Sequence, residues 1–304
     1  MPRRFFPGSA GRASTSASHH RAVERVIRAM RAELCEHLSL QSLAEIAILS
    51  PFHFDRIFRQ ITGIPPCQFL GALRLEAAKR LLLTTQMSVT DICFEVGYNS
   101  LGTFITRFTQ LVGLPPRRLR HLADVALHTS PVAFNRHKRS WPRSSAREPG
   151  ITGRVESPDG FSGPVLVGLF PTRIPQGRPV ACALLSGPGQ YQMDQIPDGR
   201  YYAFAASFKS SRDPLAYLLP DDENIRVGAG PDQLVVKDGK AGGNHDIELR
   251  CLELTDPPLL IALPFLLSER RDLSSSLREA RVEINEQMGG GAANNEAAKI
   301  AKVG

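Results

Sequence analysis

The sequence of 304 residues predicts a multidomain α plus β protein. Its N-terminal part is expected to be all-α, and its C-terminal part an antiparallel β-sandwich with a trailing helix. Apolar residues recur at helical spacing from residue 19 to residue 122, whereas short β-prone runs separated by Gly, Pro and Asp turns follow from residue 151. The hydrophobic content of 42% is typical of a folded chain and excludes a mainly disordered one.

The pattern divides the chain into five segments. We expect a flexible basic arm over residues 1–18 and a helical domain over residues 19–122. A basic, Ser- and Pro-rich linker over residues 123–150 leads into the β-sandwich, residues 151–267. A C-terminal helix and a mobile tail follow over residues 268–304.

Basic residues are concentrated in the first of these domains. Residues 1–122 contain 16 Lys and Arg against 8 Asp and Glu, whereas residues 151–304 contain 16 against 20. A basic half beside an acidic one favours a polyanionic partner, such as nucleic acid, for the first half.

The composition favours a cytoplasmic protein without a membrane partner. No apolar run approaches the ~20 residues that a membrane helix needs. The arginine pair Arg3-Arg4 is followed by no apolar stretch, so we expect no signal peptide. The five cysteines form no C-x-x-C pair and no cluster with histidine, which is typical of reduced thiols and predicts no metal site.

The helical domain contains a duplicated helix–turn–helix unit. A serine before each second helix is a favoured N-cap, and a glycine after it is a favoured stop. A longer helix, about residues 66–84, joins the two units. Two repeats are too few for a solenoid, which needs about three. The equivalent residues lie 50 positions apart: Ser50 and Ser100, Phe54 and Phe104, Phe58 and Phe108, Gly63 and Gly113, Pro66 and Pro116.

These segments resemble the two DNA-binding motifs of AraC/XylS-type transcription regulators. The resemblance lies in LSLQSLAEIAILSPFHFDRIFRQITGIPP, in SVTDICFEVGYNSLGTFITRFTQLVGLPPRRLR and in the linking RLEAAKRLLLTT, and it covers about residues 21–122. It implies double-stranded DNA as a partner. RNA polymerase, a small-molecule effector and a second copy of the chain are further candidate partners.

One residue departs from the family pattern. The first turn has Ile48 where the family usually has glycine. Because a positive φ is costly for a β-branched residue, we expect this turn to be either adjusted or strained.

The second helix of each unit is expected to place its N-terminal residues in the major groove. On the first, Arg56 can pair with guanine, Asp55 can accept from cytosine, and Phe52 can touch a thymine methyl. The alternative for Asp55 and Arg56 is a solvated helix face. The predicted DNA-binding residues of this helix are Ser50, Phe52, His53, Asp55, Arg56 and Arg59.

The second recognition helix offers fewer groups for bidentate base contacts. We therefore predict that the first motif carries most of the sequence discrimination and the second mainly affinity. The predicted DNA-binding residues here are Ser100, Leu101, Gly102, Thr103, Thr106 and Arg107. For each candidate for phosphate contact the alternative is a solvated surface position, and for Arg74 it is also internal pairing. These candidates are Arg74, Lys79, Arg80, Arg117, Arg118 and Arg120.

The C-terminal half shows no pattern of catalytic residues and none for a cofactor. Its order of strands is similar to carboxypeptidase-regulatory or transthyretin-like sandwich modules. We interpret GAGPD (residues 228–232) as a turn and residues 221–223 as a solvated acidic loop.

We therefore predict a sequence-specific DNA-binding transcription regulator that is not an enzyme. Its β-sandwich would bind an effector or a second copy. Two alternatives stay open: an enzyme or carbohydrate-binding module with an accessory helical domain, and an architectural protein that binds DNA without sequence preference.

Overall fold

The structure is a computed structural model that describes residues 10–128 and 150–262, apart from residues 212, 214 and 232. These residues belong to one compact unit. The predicted linker therefore lies largely outside the described residues, as do the predicted C-terminal helix and tail. No helix in the described ranges is long and apolar enough to cross a membrane.

The helical region follows the predicted repeat. In each unit a short helix, a turn and a helix of 12 residues precede a helix that begins at a proline. Ser39 and Ser88 cap the two short helices with their side chains. The helices are α1 (Ala10–Ala32), α2 (Leu40–Ala47), α3 (Pro51–Thr62), α4 (Pro66–Thr84), α5 (Val89–Glu95), α6 (Leu101–Val112) and α7 (Pro116–His128).

The helical region is longer than predicted at both ends. We expected residues 10–18 within the flexible arm, but α1 begins at Ala10. The helix is anchored in the core further along, by Val23, Val26 and Ile27. The described side chains of the added stretch are exposed, so its sequence contains no apolar periodicity from which a helix could be predicted. At the other end α7 runs to His128, six residues into the predicted linker.

The β region is a sandwich of two sheets, as predicted. One sheet has the order β3-β2-β5-β6-β9, with β7 also paired to β5, and the other has the order β4-β1-β8. Residues from both sheets form one apolar core. The strands are β1 (Ile151–Glu156), β2 (Val165–Phe170), β3 (Ala181–Leu185), β4 (Gly189–Met193), β5 (Gly199–Phe208), β6 (Ile225–Ala229), β7 (Leu234–Val236), β8 (Ile247–Glu248) and β9 (Arg250–Cys251).

Three details of the β region differ from the prediction. Strands β1 and β8 pair in parallel, although the other pairs are antiparallel. Residues 228 and 229 of the predicted turn are the last two residues of β6. A short helix, α8 (Leu215–Leu218), precedes a 3-10 turn that contains Asp222 and Glu223 of the acidic loop.

The helical and β regions share a core. Ile174, in the loop between β2 and β3, is 3% exposed and belongs to the same cluster as Phe54 and Phe69, and Leu254 packs against that cluster. In addition, the Gly177 N–H donates to the Leu111 carbonyl oxygen at 2.6 Å, and the Ala262 N–H donates to Val112 at 3.1 Å. The β region therefore contacts both helix–turn–helix units.

Candidate nucleic-acid interface

The first recognition helix, α3, presents the predicted contact residues on its outer face. Ser50 is its N-cap residue, without a side-chain cap hydrogen bond, and Pro51 occupies the first turn. The opposite face is anchored in the core by Phe54 and Phe58, which are both fully buried. Phe52 is 92% exposed, an unusual environment for a large apolar ring and one that suits contact with a partner.

Arg56 is the available guanidinium of this face. It is exposed and makes no hydrogen bond or ion pair with any of the described residues. Asp55, in contrast, is half-buried and its carboxylate lies 2.8 Å from the Arg59 Nε. A planar fork of N–H donors without an internal partner can bind guanine O6 and N7.

His53 does not extend freely from α3, which corrects its place among the predicted base contacts. Its ring packs edge-to-face against that of His19 on α1, with 5.5 Å between the ring centroids. Its Nε2 is buried and has no hydrogen-bond partner among the described residues. The ring therefore packs against α1 and is not held toward solvent.

The turn before α3 is strained, as the departure at Ile48 predicted. Ile48 adopts the left-handed conformation, with φ 60° and ψ 43°, and its side chain is 81% exposed. Arg25 on α1 donates to the carbonyl oxygens of Ile46 and Ala47 at 2.9 and 3.2 Å. These bonds satisfy the C-terminal end of α2 and hold the turn in place.

The second turn also contains a residue with positive φ, but this residue is a glycine. Gly97 has φ +80°, and a Cβ there would lie 2.6 Å from the Leu34 carbonyl oxygen. Tyr98 stacks edge-to-face on Phe104 of α6, with 5.4 Å between ring centroids. The turn therefore positions α6 against the end of α1 through backbone contact that a larger residue would prevent.

The second recognition helix, α6, has a less polar outer face. Ser100 accepts a hydrogen bond from the Thr103 N–H at 3.4 Å, so its hydroxyl acts as a helix cap. Gly102, Thr106 and Arg107 are exposed, whereas Leu101 is half-buried. Apart from Arg107, this face carries only short hydroxyl groups for base or phosphate contact.

Two of the predicted phosphate contacts make internal hydrogen bonds, which is the alternative given above for Arg74 and a correction for Lys79. The Arg74 guanidinium donates to the carbonyl oxygens of Leu34 and Glu36, both at 2.8 Å. Lys79 is 2% exposed, and its ammonium donates to the Leu259 carbonyl oxygen at 2.7 Å. Both groups satisfy carbonyls of neighbouring segments. Lys79 is buried, whereas Arg74 is half-buried.

The remaining basic candidates lie at the surface, with one exception. Arg80, Arg117 and Arg118 are exposed. Arg120 is half-buried, and its Nε donates to the Leu82 carbonyl oxygen at 3.0 Å. Arg117 and Arg118 in the first turn of α7 therefore stay candidates for phosphate contact.

Helix α4 sets the separation of the two motifs. Its 19 residues correspond to about 28 Å at 1.5 Å per residue. Nine of them are buried, so the helix is fixed by packing along its length. The described residues contain no group of three His, Cys, Asp or Glu side chains that could hold a metal ion.

Residues 43–122 match the family described as a helix-turn-helix domain. AdaA of Bacillus subtilis, a bifunctional transcriptional activator and DNA repair enzyme, is 37% identical over 90 residues, which make up 30% of this chain and 43% of AdaA. The transcriptional activator RhaS of Enterobacter sp. strain 638 is 35% identical over 92 residues, or 30% of this chain and 33% of RhaS. The chain thus spans less than half of each of these relatives.

Among solved structures, the C-terminal domain of the response regulator yesN from Fusobacterium nucleatum is similar to this chain. The sequence identity is 30% and the TM-score is 0.32. The match covers 33% of this chain and 98% of that domain.

Proposed function

We propose that this chain, whose helical half is an AraC/XylS-type double helix–turn–helix domain, is a transcription regulator that binds specific sites on double-stranded DNA. The observation that carries the proposal is the outer face of α3. Phe52 and Arg56 are exposed there, and Arg56 has no partner among the described residues. This is the arrangement that a base contact requires.

The two motifs would have different roles in DNA binding. Helix α3 offers the Arg56 guanidinium and the Phe52 ring to base edges, whereas α6 offers the Arg107 guanidinium and otherwise short hydroxyl groups. The ~28 Å length of α4 suits two recognition helices in successive major-groove segments, which lie ~34 Å apart on one face of the duplex. Arg117 and Arg118 would add phosphate contacts that set affinity and its salt dependence.

The β region would act on DNA binding through its contacts with the helical region, and we propose no reaction for it. Its hydrogen bonds to Leu111 and Val112 end directly on α6. An effector or a second copy of the chain that binds one of two conformations of this region more tightly would shift the position of α6. The site of action proposed for such a regulator is the cytoplasm, with RNA polymerase as a partner at the promoter.

Selection of genomic DNA fragments by the purified full chain tests the proposal. We expect wild type to enrich a motif with two contact segments about one helical turn apart at near-physiological salt. Arg56→Ala should lose the part of the motif that α3 contacts. Arg200→Ala, which removes the same charge from an exposed position on β5, serves as the matched control and should enrich the wild-type motif.

Two outcomes would contradict the proposal. Strong binding without any enriched motif would favour an architectural protein that binds DNA through its charge alone. Absence of DNA binding together with turnover or sugar binding would favour an enzyme or a carbohydrate-binding module.

A further inference from the structure

A cavity of about 460 Å³ lies between the helical region and the β region. One wall is formed by α1 and α4, and the other by the end of α8 and residues 252–259. The apolar part of the lining includes Leu73, Leu218 and Leu254. The volume falls within the range of small-molecule sites, which are concave, largely apolar and equipped with a few polar groups.

The cavity wall contains a buried ammonium with an incomplete set of partners. Lys79 and Leu259 both line the cavity and are joined by the 2.7 Å hydrogen bond. An ammonium has three N–H donors, yet Leu259 is the one hydrogen-bond partner of Lys79 within the described ranges. A buried charge without a full set of partners is costly, so a further acceptor at the two remaining N–H groups would stabilise the ammonium.

The carboxylate of Glu76 on the same helix makes no hydrogen bond or ion pair with this group among the described residues. Glu76, one turn before Lys79 on α4, lies 3.2 Å from the Arg31 guanidinium. Its charge raises the pKa of Lys79, but burial has the larger, opposite effect and lowers that pKa from 10.5 to about 8. The ammonium is therefore held in an environment that an additional anion would stabilise.

We propose that this cavity binds a small molecule that carries one anionic group of carboxylate size on an apolar body. The anionic group contacts the Lys79 ammonium, and the apolar body lies against Leu73 and Leu254. The lining also includes two further cations, Arg31 and Arg80, and the carboxylates of Glu76, Asp222, Glu253 and Asp256. The four carboxylates outnumber the three cations, so a single negative charge is preferred to a dianion.

The position of the cavity connects it to both DNA-binding motifs. Lys79 lies on α4, which joins the motifs, and Leu259 is three residues before Ala262, whose N–H donates to Val112 at the end of α6. An anion that takes up Lys79 donors changes the contact between α4 and this segment. The effect on DNA affinity rests on the proposed function, whereas ligand binding itself does not.

Binding of 2-naphthoate and of its neutral analogue 2-naphthamide to the full chain tests the site by calorimetry without DNA. We expect wild type to bind the acid about tenfold more tightly than the amide, because a charge-assisted hydrogen bond to an ammonium is available only to the acid. Lys79→Met should abolish this preference. Arg28→Met, an exposed charge on α1 that lies outside the cavity lining, should retain it.

Equal affinities for the acid and the amide in wild type, or an unchanged preference in Lys79→Met, would overturn the proposal. If Lys79→Met does not fold, the pH dependence in wild type decides. The affinity for the acid should fall as the ammonium loses its proton at alkaline pH, while that for the amide stays constant. Parallel pH profiles for the two probes would overturn the proposal as well.

A final comparison separates this inference from the proposed function. DNA binding is measured with and without saturating 2-naphthoate. A change in DNA affinity supports the coupling. Specific DNA binding that the acid leaves unchanged removes the coupling, and acid binding without specific DNA binding removes the proposed function.

Discussion

Asp55 and Arg59 form an ion pair along the outer face of α3, with 2.8 Å between the Asp55 Oδ2 and the Arg59 Nε. The pair is one helical turn apart and partly exposed, so it contributes only about 0.3–0.5 kcal/mol. It nevertheless orients the carboxylate along the helix and occupies Arg59. Arg56, between the two, is left as the guanidinium that can bind a base without breaking an internal contact.

Arg56→Ala should therefore reduce sequence preference more than Thr106→Ala does. We expect Arg56→Ala to weaken binding to the selected site by about 1–3 kcal/mol and binding to unrelated DNA much less, since a bidentate base contact carries discrimination. Thr106→Ala should weaken both by a similar factor. Competition titrations with specific and unrelated duplexes measure the ratio, and a loss of preference confined to Thr106→Ala would assign discrimination to the second motif.

Removal of the charge at Arg74 should affect the stability of the chain, whereas removal of the charge at Arg117 should affect DNA binding. Arg74→Met leaves the Leu34 carbonyl without its side-chain donor, whereas the Glu36 carbonyl keeps the Leu38 N–H. We expect a loss of about 1–3 kcal/mol in the free energy of unfolding. The salt slope of DNA binding should not change. Arg117→Met should reduce that slope by about 0.9 while changing stability by less than about 0.5 kcal/mol. Urea unfolding measures the stability of each variant, and DNA binding over a salt series measures the slope. A stability loss in Arg117→Met together with a changed slope in Arg74→Met would contradict the prediction.

Ile48→Gly should stabilise the chain. The left-handed conformation costs an L-residue about 1–2 kcal/mol, and glycine recovers this at an entropic cost of about 0.5–1 kcal/mol. The side chain is 81% exposed, so little packing is lost. We expect a net gain of about 0.5–1 kcal/mol in urea unfolding. Ile48→Ala retains the Cβ and should give little of this gain, and an equal gain from both variants would point to loss of the exposed apolar side chain.

Lys79 should make the stability of the chain rise with pH in the alkaline range. Its pKa is about 8 in the folded chain and 10.5 in an ordinary solvated lysine. Between these values the unfolded chain binds more protons, so the free energy of unfolding increases with pH. The comparison with Lys79→Met removes the contribution of the other titrating groups. Relative to this variant, the free energy of unfolding of wild type should increase by about 2–3 kcal/mol between pH ~7 and pH ~10. Parallel pH profiles for the two proteins would exclude a depressed pKa.

The local pattern was sufficient to predict the helical repeat. Helix α4 begins at Pro66 and ends at Thr84, as predicted, because a proline opens it and the apolar pattern continues to its end. The left-handed turn at Ile48 followed from the family pattern. The exposed face of α3 followed from the periodicity of Phe54, Ile57 and Phe58, which places Phe52 and Arg56 on the opposite side.

The buried face of α4 could not be predicted in the same way. Helical spacing places the apolar residues Leu70, Leu73, Ala77 and Leu81 on one face of α4. In the structure, however, Ala77 and Leu81 are half-buried while Lys79 is buried. The reason is that residues 252–259 line a second side of the helix, and a lysine there satisfies a carbonyl. Strand β6 was missed because its last two residues belong to a Gly-rich segment that resembles a turn.

The burial of Ile174 among side chains of the helical region limits which domains can replace the β region in a chimera. A chimera that joins residues 1–128 to an unrelated sensor would leave a void beside Phe54 and Phe69, and the last carbonyls of α6 would lose two donors. We expect such a graft to fold only if the new partner inserts an apolar residue at the same place. The two halves of this chain are therefore fitted to each other, and replacement of one changes the packing of the other.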